Sequence, residues 1–104
     1  MSDINDCATE EQQGVRVVRV RGEVDLSWSQ RLRKTILDAL ASARPVAVDL
    51  SAVTYIDSSG IASLVEGLQV ARKQKNELSL VSVSARALRV LELARLDKVF
   101  AIHA

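Results

Sequence analysis

Residues 48–61 read Val-Asp-Leu-Ser-Ala-Val-Thr-Tyr-Ile-Asp-Ser-Ser-Gly-Ile, and they are the most informative part of the chain. The apolar run Val46–Leu50, which overlaps their start, is typical of a parallel strand buried on both faces. Residues 51–57 predict a connection with some extended character, and a helix is expected to follow Asp57-Ser-Ser-Gly60. A buried strand that leads into a helix indicates an α/β fold, in which functional groups gather at the carboxyl ends of the strands.

The rest of the chain alternates between β-branched runs and segments with apolar residues at helical spacing. The expected strands are Ile4–Thr9, Val15–Arg21, Val46–Leu50, Leu78–Val83 and Val99–Ile102. The expected helices are Leu26–Ala41, Ile61–Lys73 and Ala85–Ala94. The pattern of Val15–Arg21 slips at Val17-Val18, which predicts an interior strand or a bulge. The order predicts a small α/β sandwich, a mixed sheet of four to five strands with about three main helices mostly on one face.

Short polar side chains precede each expected helix. The expected caps are Asp25 or Ser27 for the first helix, Asp57 or Ser58 for the second, and Ser84 for the third. Such side chains accept hydrogen bonds from the free amides of a first helical turn.

The composition is that of one globular domain spanning residues 1–104. Hydrophobic residues make up 48% and charged residues 26%, which excludes a disordered tail. Fourteen basic residues face thirteen acidic ones, and a formal charge of +1 argues against a dedicated nucleic-acid binder.

The chain has one cysteine, Cys7, and one histidine, His103. A lone thiol forms no internal disulfide, and these two residues are too few for a zinc site, so neither a metal nor a cofactor is expected. The first residues lack the pattern of a signal peptide, and no apolar run approaches the ~18 residues of a membrane span. We therefore expect a cytoplasmic protein that does not insert into a membrane.

The segment Asp57-Ser58-Ser59-Gly60 permits two interpretations. The simpler one is a helix cap, although two serines and a glycine exceed what one cap needs. The functional one is that a serine hydroxyl accepts a phosphoryl group, which adds about −1.5 to −2 charges. A helix start can tolerate that charge, and beside Asp57 it would form an anionic spot that repels an acidic partner.

Catalytic motifs are missing from the sequence. Residues 56–61 do not match G-x-S-x-G, the glycines do not form a nucleotide-binding loop, and His103 is the sole candidate base. The carboxylates that could gather near strand ends, Glu23, Asp25, Asp49 and Asp57, are better explained as caps or surface groups. No catalytic residue and no enzymatic activity are expected.

Three segments point to a known family. Residues 57–60 (Asp-Ser-Ser-Gly) lie before an amphipathic helix, residues 22–25 (Gly-Glu-Val-Asp) lie between a strand and a helix, and residues 84–100 form a last helix and its exit. In this order they resemble STAS domains, and within them the bacterial anti-sigma factor antagonists. Arg95 stands where the family often has glycine.

The resemblance implies a partner switch without a cofactor. The unphosphorylated protein would bind an anti-sigma factor that is also a serine kinase, and so free the sigma factor. The kinase would then phosphorylate Ser58 and release its partner, and a serine phosphatase would reset the switch.

The resemblance also implies a partner-binding surface on a single STAS domain, which we expect to be monomeric. Its residues would be Glu23, Asp25, Asp57, Ser58, Ser59, Gly60 and Ser63. Similar stand-alone STAS domains sit on the ATPase of bacterial lipid-transport complexes, so a regulatory subunit of such a transporter is the alternative function.

Overall fold

The protein, a computed structural model, is described over residues 5–103, and its elements follow the expected order. The strands are β1 (Asp6–Gln12), β2 (Val15–Val24), β3 (Val46–Ile56), β4 (Leu78–Val81) and β5 (Ala101–His103). The helices are α1 (Ser29–Leu40), α2 (Ser58–Lys73) and α3 (Ala85–Leu93). The strands form one sheet in the order β1-β2-β3-β4-β5, antiparallel between β1 and β2 and parallel elsewhere. The predicted mixed-sheet α/β architecture is confirmed.

The two central strands extend further than the sequence indicates. Residues 51–56, expected as a connection, continue β3 because β2 runs on to Val24 and pairs Glu23 with Tyr55 and Val24 with Ile56. Pairing with β1 on one side and β3 on the other confirms the interior position of β2. The register is regular at Val17 and Val18, so the slip in their pattern reflects a strand covered on both sides, and the ladder is irregular further on, between Arg19 and Arg21 and between Gly22 and Glu23. The carboxyl ends of β2 and β3 therefore project together beyond the shorter strand β4.

The outer strands also differ from their expected limits. The first strand runs to Gln12 and not to Thr9, because its ladder with β2 continues to the pair Gln12 and Val15. Ile4, its expected first residue, lies outside the described residues. The last strand begins at Ala101 and not at Val99, because the Val99 amide donates to the Leu96 carbonyl in a turn.

Two helices begin at residues other than those predicted. Helix α1 begins at Ser29 and not at Leu26, because the Trp28 and Ser29 amides both donate to the Asp25 carbonyl and form a turn. Neither expected side chain caps it: the N-cap is Trp28, and the Asp25 carboxylate instead accepts the Ser27 amide at 3.0 Å. Helix α2 begins at Ser58, three residues before Ile61.

The core lies on one face of the sheet. Buried residues of all three helices and alternate residues of β2, β3 and β4, such as Val18, Val48 and Leu80, form one apolar cluster. Val17 and Ala47, whose side chains point to the other face, lie outside that cluster. The helices therefore cover a single face, as predicted. Within residues 5–103, no helix has the length and hydropathy of a membrane span.

Candidate functional site

Asp57 builds the start of α2. Its backbone is extended (φ −103°, ψ −173°), and its Oδ1 accepts the amides of Ser59 at 2.9 Å and Gly60 at 3.2 Å. This confirms the cap that the sequence predicts. The Ser59 hydroxyl lowers the pKa of the Asp57 carboxyl most, and the Gly60, Ser59 and Leu26 amides lower it further against the opposing effect of burial. The Asp57 carboxyl therefore stays ionised at the start of α2.

The two adjacent serines differ in their surroundings. The Ser59 hydroxyl donates to Asp57 Oδ1 at 2.6 Å, and the residue is half-buried. Ser58 is exposed, and its hydroxyl has no hydrogen-bond partner among residues 5–103. Of the two, Ser58 has the hydroxyl that is open to an incoming reactant.

Gly60 and Ser63 lie beneath this surface. A Cβ on Gly60 would come within 2.6 Å of Val24 Cγ1 and 2.7 Å of Ile56 Cγ1, so only glycine lets the first turn of α2 rest on the ends of β2 and β3. Ser63 is 5% exposed, and its hydroxyl lies 3.1 Å from the carbonyls of Ser29 and Ser59. A direct contact of either residue with a partner stays a prediction, since both face inward.

The sequence does not predict the polar contact between the starts of α1 and α2. Ser29, at the start of α1, is fully buried, and its hydroxyl has no partner among the described residues. The Ser63 hydroxyl reaches the Ser29 carbonyl across the interface between α1 and α2. Serine lies next to apolar residues at many positions in this chain, so the sequence around Ser29 does not indicate that this serine is buried.

The loop between β2 and α1 lies beside Ser58. The Asp57 amide donates to the Val24 carbonyl at 3.0 Å, which ties the loop to the start of α2. Glu23 and Asp25, the predicted docking carboxylates, lie at the same end of the sheet as Asp57, because Glu23 pairs with Tyr55. Glu23 is exposed and Asp25 is half-buried. Leu26, which sequence reasoning overlooked, is 73% exposed next to this acidic group.

A groove of about 930 Å³ runs from Ser58 along the outer side of α2. Its walls include Val65 and Glu66, and it ends near Lys73. Glu66 pairs with Arg33 of α1 at 2.7 Å, a contact that lowers the pKa of the Glu66 carboxyl and raises that of the Arg33 guanidinium. Ser58 thus lies at one end of a groove whose walls combine apolar and charged side chains of α2.

Comparisons with known proteins identify a domain family and similar proteins. A family model described as "Mlab, STAS domain" matches residues 7–102. A protein named anti-sigma-B factor antagonist, from Bacillus subtilis, is 26% identical over 87 residues, which are 84% of this chain and 80% of that protein.

Two solved structures share the fold. The crystal structure of an anti-sigma factor antagonist from Mycobacterium paratuberculosis superposes with a TM-score of 0.85 at 29% identity, covering 94% of this chain and 84% of that one. The anti-sigma factor antagonist SpoIIAA in its unphosphorylated form has a TM-score of 0.79 at 17% identity, covering 95% and 88%.

Proposed function

The chain belongs to the STAS domain family, and on that premise we propose that it is an anti-sigma factor antagonist that works by partner switching. Its unphosphorylated form binds an anti-sigma factor and thereby frees a sigma factor. The names of its relatives and of the similar crystal structure support the general role.

One observation carries the proposal: of the two serines after Asp57, only Ser58 presents an exposed hydroxyl without a hydrogen-bond partner among the described residues. A kinase partner can place the γ-phosphorus of ATP against that oxygen. The Ser58 Oγ–P bond forms, the bond from phosphorus to the ADP oxygen breaks, and a base of the kinase takes the hydroxyl proton. Ser59 is a poorer acceptor, because its hydroxyl is already held by Asp57.

The added charge is large enough to dissociate a complex. Against a partner carboxylate about 6 Å away, each unit of phosphate charge is repelled by roughly 3 kcal/mol at an effective dielectric of ~20, before screening by salt. A change of ~1.4 kcal/mol already lowers affinity tenfold. The fold is expected to persist, because Ser58 is exposed and its hydroxyl supports no contact in the described chain.

We propose the same surface as the partner-binding site. Its exposed or half-buried members are Glu23, Asp25, Leu26, Asp57, Ser58 and Ser59. Gly60 and Ser63 act from beneath, by holding the first turn of α2 against the strand ends and against α1. A serine phosphatase would restore the binding form.

The test is calorimetric titration of the cognate anti-sigma factor with the wild-type chain and two variants. Ser58→Ala should bind like the wild type and keep binding after incubation with kinase and ATP. Ser58→Asp should bind at least ~tenfold more weakly. Mass spectrometry should find the phosphate on Ser58 and not on Ser59.

Gln12→Glu is the matched control. It adds the same charge on an exposed residue at the opposite end of the sheet, roughly 30 Å from Ser58 along β2 and well beyond the Debye length. Equal affinities for the wild type and Ser58→Asp would overturn the switch.

A regulatory STAS subunit on a transporter ATPase is the second candidate. The matching family model, described as "Mlab, STAS domain", applies to both candidates, so this one is tested beside the first. Copurification of the tagged chain with a membrane ATPase, and no binding to an anti-sigma factor, would decide for this candidate.

A further inference from the structure

A small pocket beside the candidate site combines an apolar floor with two arginines. It has a volume of about 310 Å³ and lies between the end of β3 and helix α3. Its apolar walls come from Tyr55, Ile56 and Val90, and its rim carries Arg86 and Arg89. The volume is at the low end of the range for ligand pockets, ~300–1,000 Å³, and suits one or two side chains.

The two arginines have no counter-ion in the described part of the chain. Arg19, Arg31, Arg33 and Arg44 each pair with a carboxylate, whereas neither pocket arginine takes part in an ion pair there. Arg86 and Arg89 are three residues apart on one helix, so their side chains are neighbours and their like charges repel each other. The proximity of two like charges is unfavourable for the helix, and an anionic group between them would relieve the repulsion.

The pocket also exposes about half of an aromatic side chain. Tyr55 is 51% exposed, although its neighbour Ile56 is buried in the core. Tyrosine and arginine are the residue types that most often dominate binding energy at protein interfaces. An exposed tyrosine flanked by two unpaired arginines therefore favours a protein segment over a small free anion.

The pocket is continuous with the surface around Ser58. Tyr55 pairs with Glu23 in the ladder between β2 and β3, and Ile56 is followed directly by Asp57. One end of the sheet thus carries acidic groups on the β2 side and basic groups on the α3 side.

We propose that the Tyr55–Arg86–Arg89 pocket docks an acidic segment of the partner protein, in which carboxylates flank one apolar side chain. The apolar side chain enters the pocket over Tyr55, and the carboxylates pair with the two arginines. The neighbouring surface on the β2 side is acidic, so a partner must place basic groups there and acidic groups at the pocket. This arrangement fixes the orientation in which the partner binds. The identity of this partner rests on the proposed function, whereas the chemistry of the segment rests on the pocket.

The experiment uses the full chain labelled with ¹⁵N and two synthetic seven-residue peptides. One peptide has a central leucine flanked by aspartates, and the other has lysines in place of the aspartates. The acidic peptide should shift the amide signals of Tyr55, Arg86, Arg89 and Val90 with a saturable dependence on concentration. The basic peptide should leave these signals in place.

Charge reversal supplies the decisive comparison. The double variant Arg86→Glu/Arg89→Glu should bind the acidic peptide at least ~tenfold more weakly and should bind the basic peptide, which the wild type does not bind. The matched control Lys75→Glu/Lys98→Glu changes the net charge equally at exposed positions in the turns after α2 and α3, outside both the pocket and the groove, and should retain the affinity. Far-ultraviolet circular dichroism of each variant shows that it is folded.

Three results would overturn the proposal: no shifts at the pocket, shifts confined to the groove along α2, or equal effects of both peptides. If inorganic phosphate produced the same shifts at the same ionic strength, the pocket would be a small-anion site instead. The assay contains no kinase and needs no chemistry at Ser58. A negative result here therefore leaves the Ser58 experiment intact, and failure of the switch would leave peptide binding intact.

Discussion

Asp57 serves the fold and the candidate site at once. Its carboxylate holds the first turn of α2 through two amides and the Ser59 hydroxyl. Of the two serines that follow Asp57, Ser58 is therefore the one whose hydroxyl has no partner in the described part of the chain. The motif Asp-Ser-Ser-Gly in the sequence indicates both a cap and a phosphate acceptor. The two interpretations are compatible, because the cap uses Ser59 and Gly60 and leaves Ser58 outside the network.

Removing the cap should lower stability in a way that depends on pH. We expect Asp57→Ala to reduce the free energy of unfolding by ~1 kcal/mol at pH 7, measured by urea denaturation. The folded-state pKa of Asp57 is lowered, so its charge stabilises the fold above the unfolded-state pKa of about 3.9. That contribution should disappear as the pH falls through the lower folded-state pKa.

Asp57→Asn is the control for the charge, since asparagine caps about as well as aspartate. Its stability should lack the part of the pH dependence that Asp57 causes. An identical acid dependence of Asp57→Asn and the wild type would contradict this account.

At the level of elements, helices α2 and α3 end in the same way. The residue after each C-cap, Lys75 or Arg95, has a left-handed backbone with φ of 56° or 61°. The Arg95 amide donates to the Glu92 carbonyl and the Leu96 amide donates to the Leu91 carbonyl, which is the Schellman arrangement that usually contains glycine. The sequence difference from the family at Arg95 therefore leaves the turn in place, at the cost of backbone strain.

Replacing Arg95 by glycine should relieve that strain. We expect Arg95→Gly to raise the free energy of unfolding by roughly 0.5–1 kcal/mol, because glycine adopts positive φ without a steric penalty. The measurement is chemical denaturation, with Arg89→Gly as the control. Arg89 lies inside α3, where glycine should instead destabilise the helix by about 1 kcal/mol. A loss of stability in Arg95→Gly would show that the side chain matters more than the turn.

For the molecule as a whole, the segment after α3 closes the core. Phe100 is 4% exposed and belongs to the main apolar cluster, whereas its neighbour Val99 is 42% exposed. The three residues of β5 that follow complete the edge of the sheet beside β4. This edge of the sheet lies away from Ser58. We therefore expect the contribution of Phe100 to the stability of the fold to be independent of partner binding.

Truncating Phe100 tests that separation. We expect Phe100→Ala to lower the free energy of unfolding by ~3–5 kcal/mol, and Val99→Ala to lower it by far less. Under conditions in which Phe100→Ala is still folded, its affinity for the anti-sigma factor should match that of the wild type. A specific loss of binding in the folded variant would tie this edge to the partner surface.

The order of elements and the cap at Asp57 follow from local pattern, because hydrophobic period and capping chemistry act within a few residues. The need for glycine at position 60 is tertiary, because the Cβ that it lacks would meet Val24 of β2. The added length of β3 depends on β2, which supplies the pairing partners of residues 52–56. Other features depend on contacts between distant parts of the chain. They are the exposure of Leu26 and Tyr55, the burial of Ser29, and the position of Arg86 and Arg89 close to Tyr55. No local period encodes such neighbours, because packing brings them together only when the strands and helices have assembled.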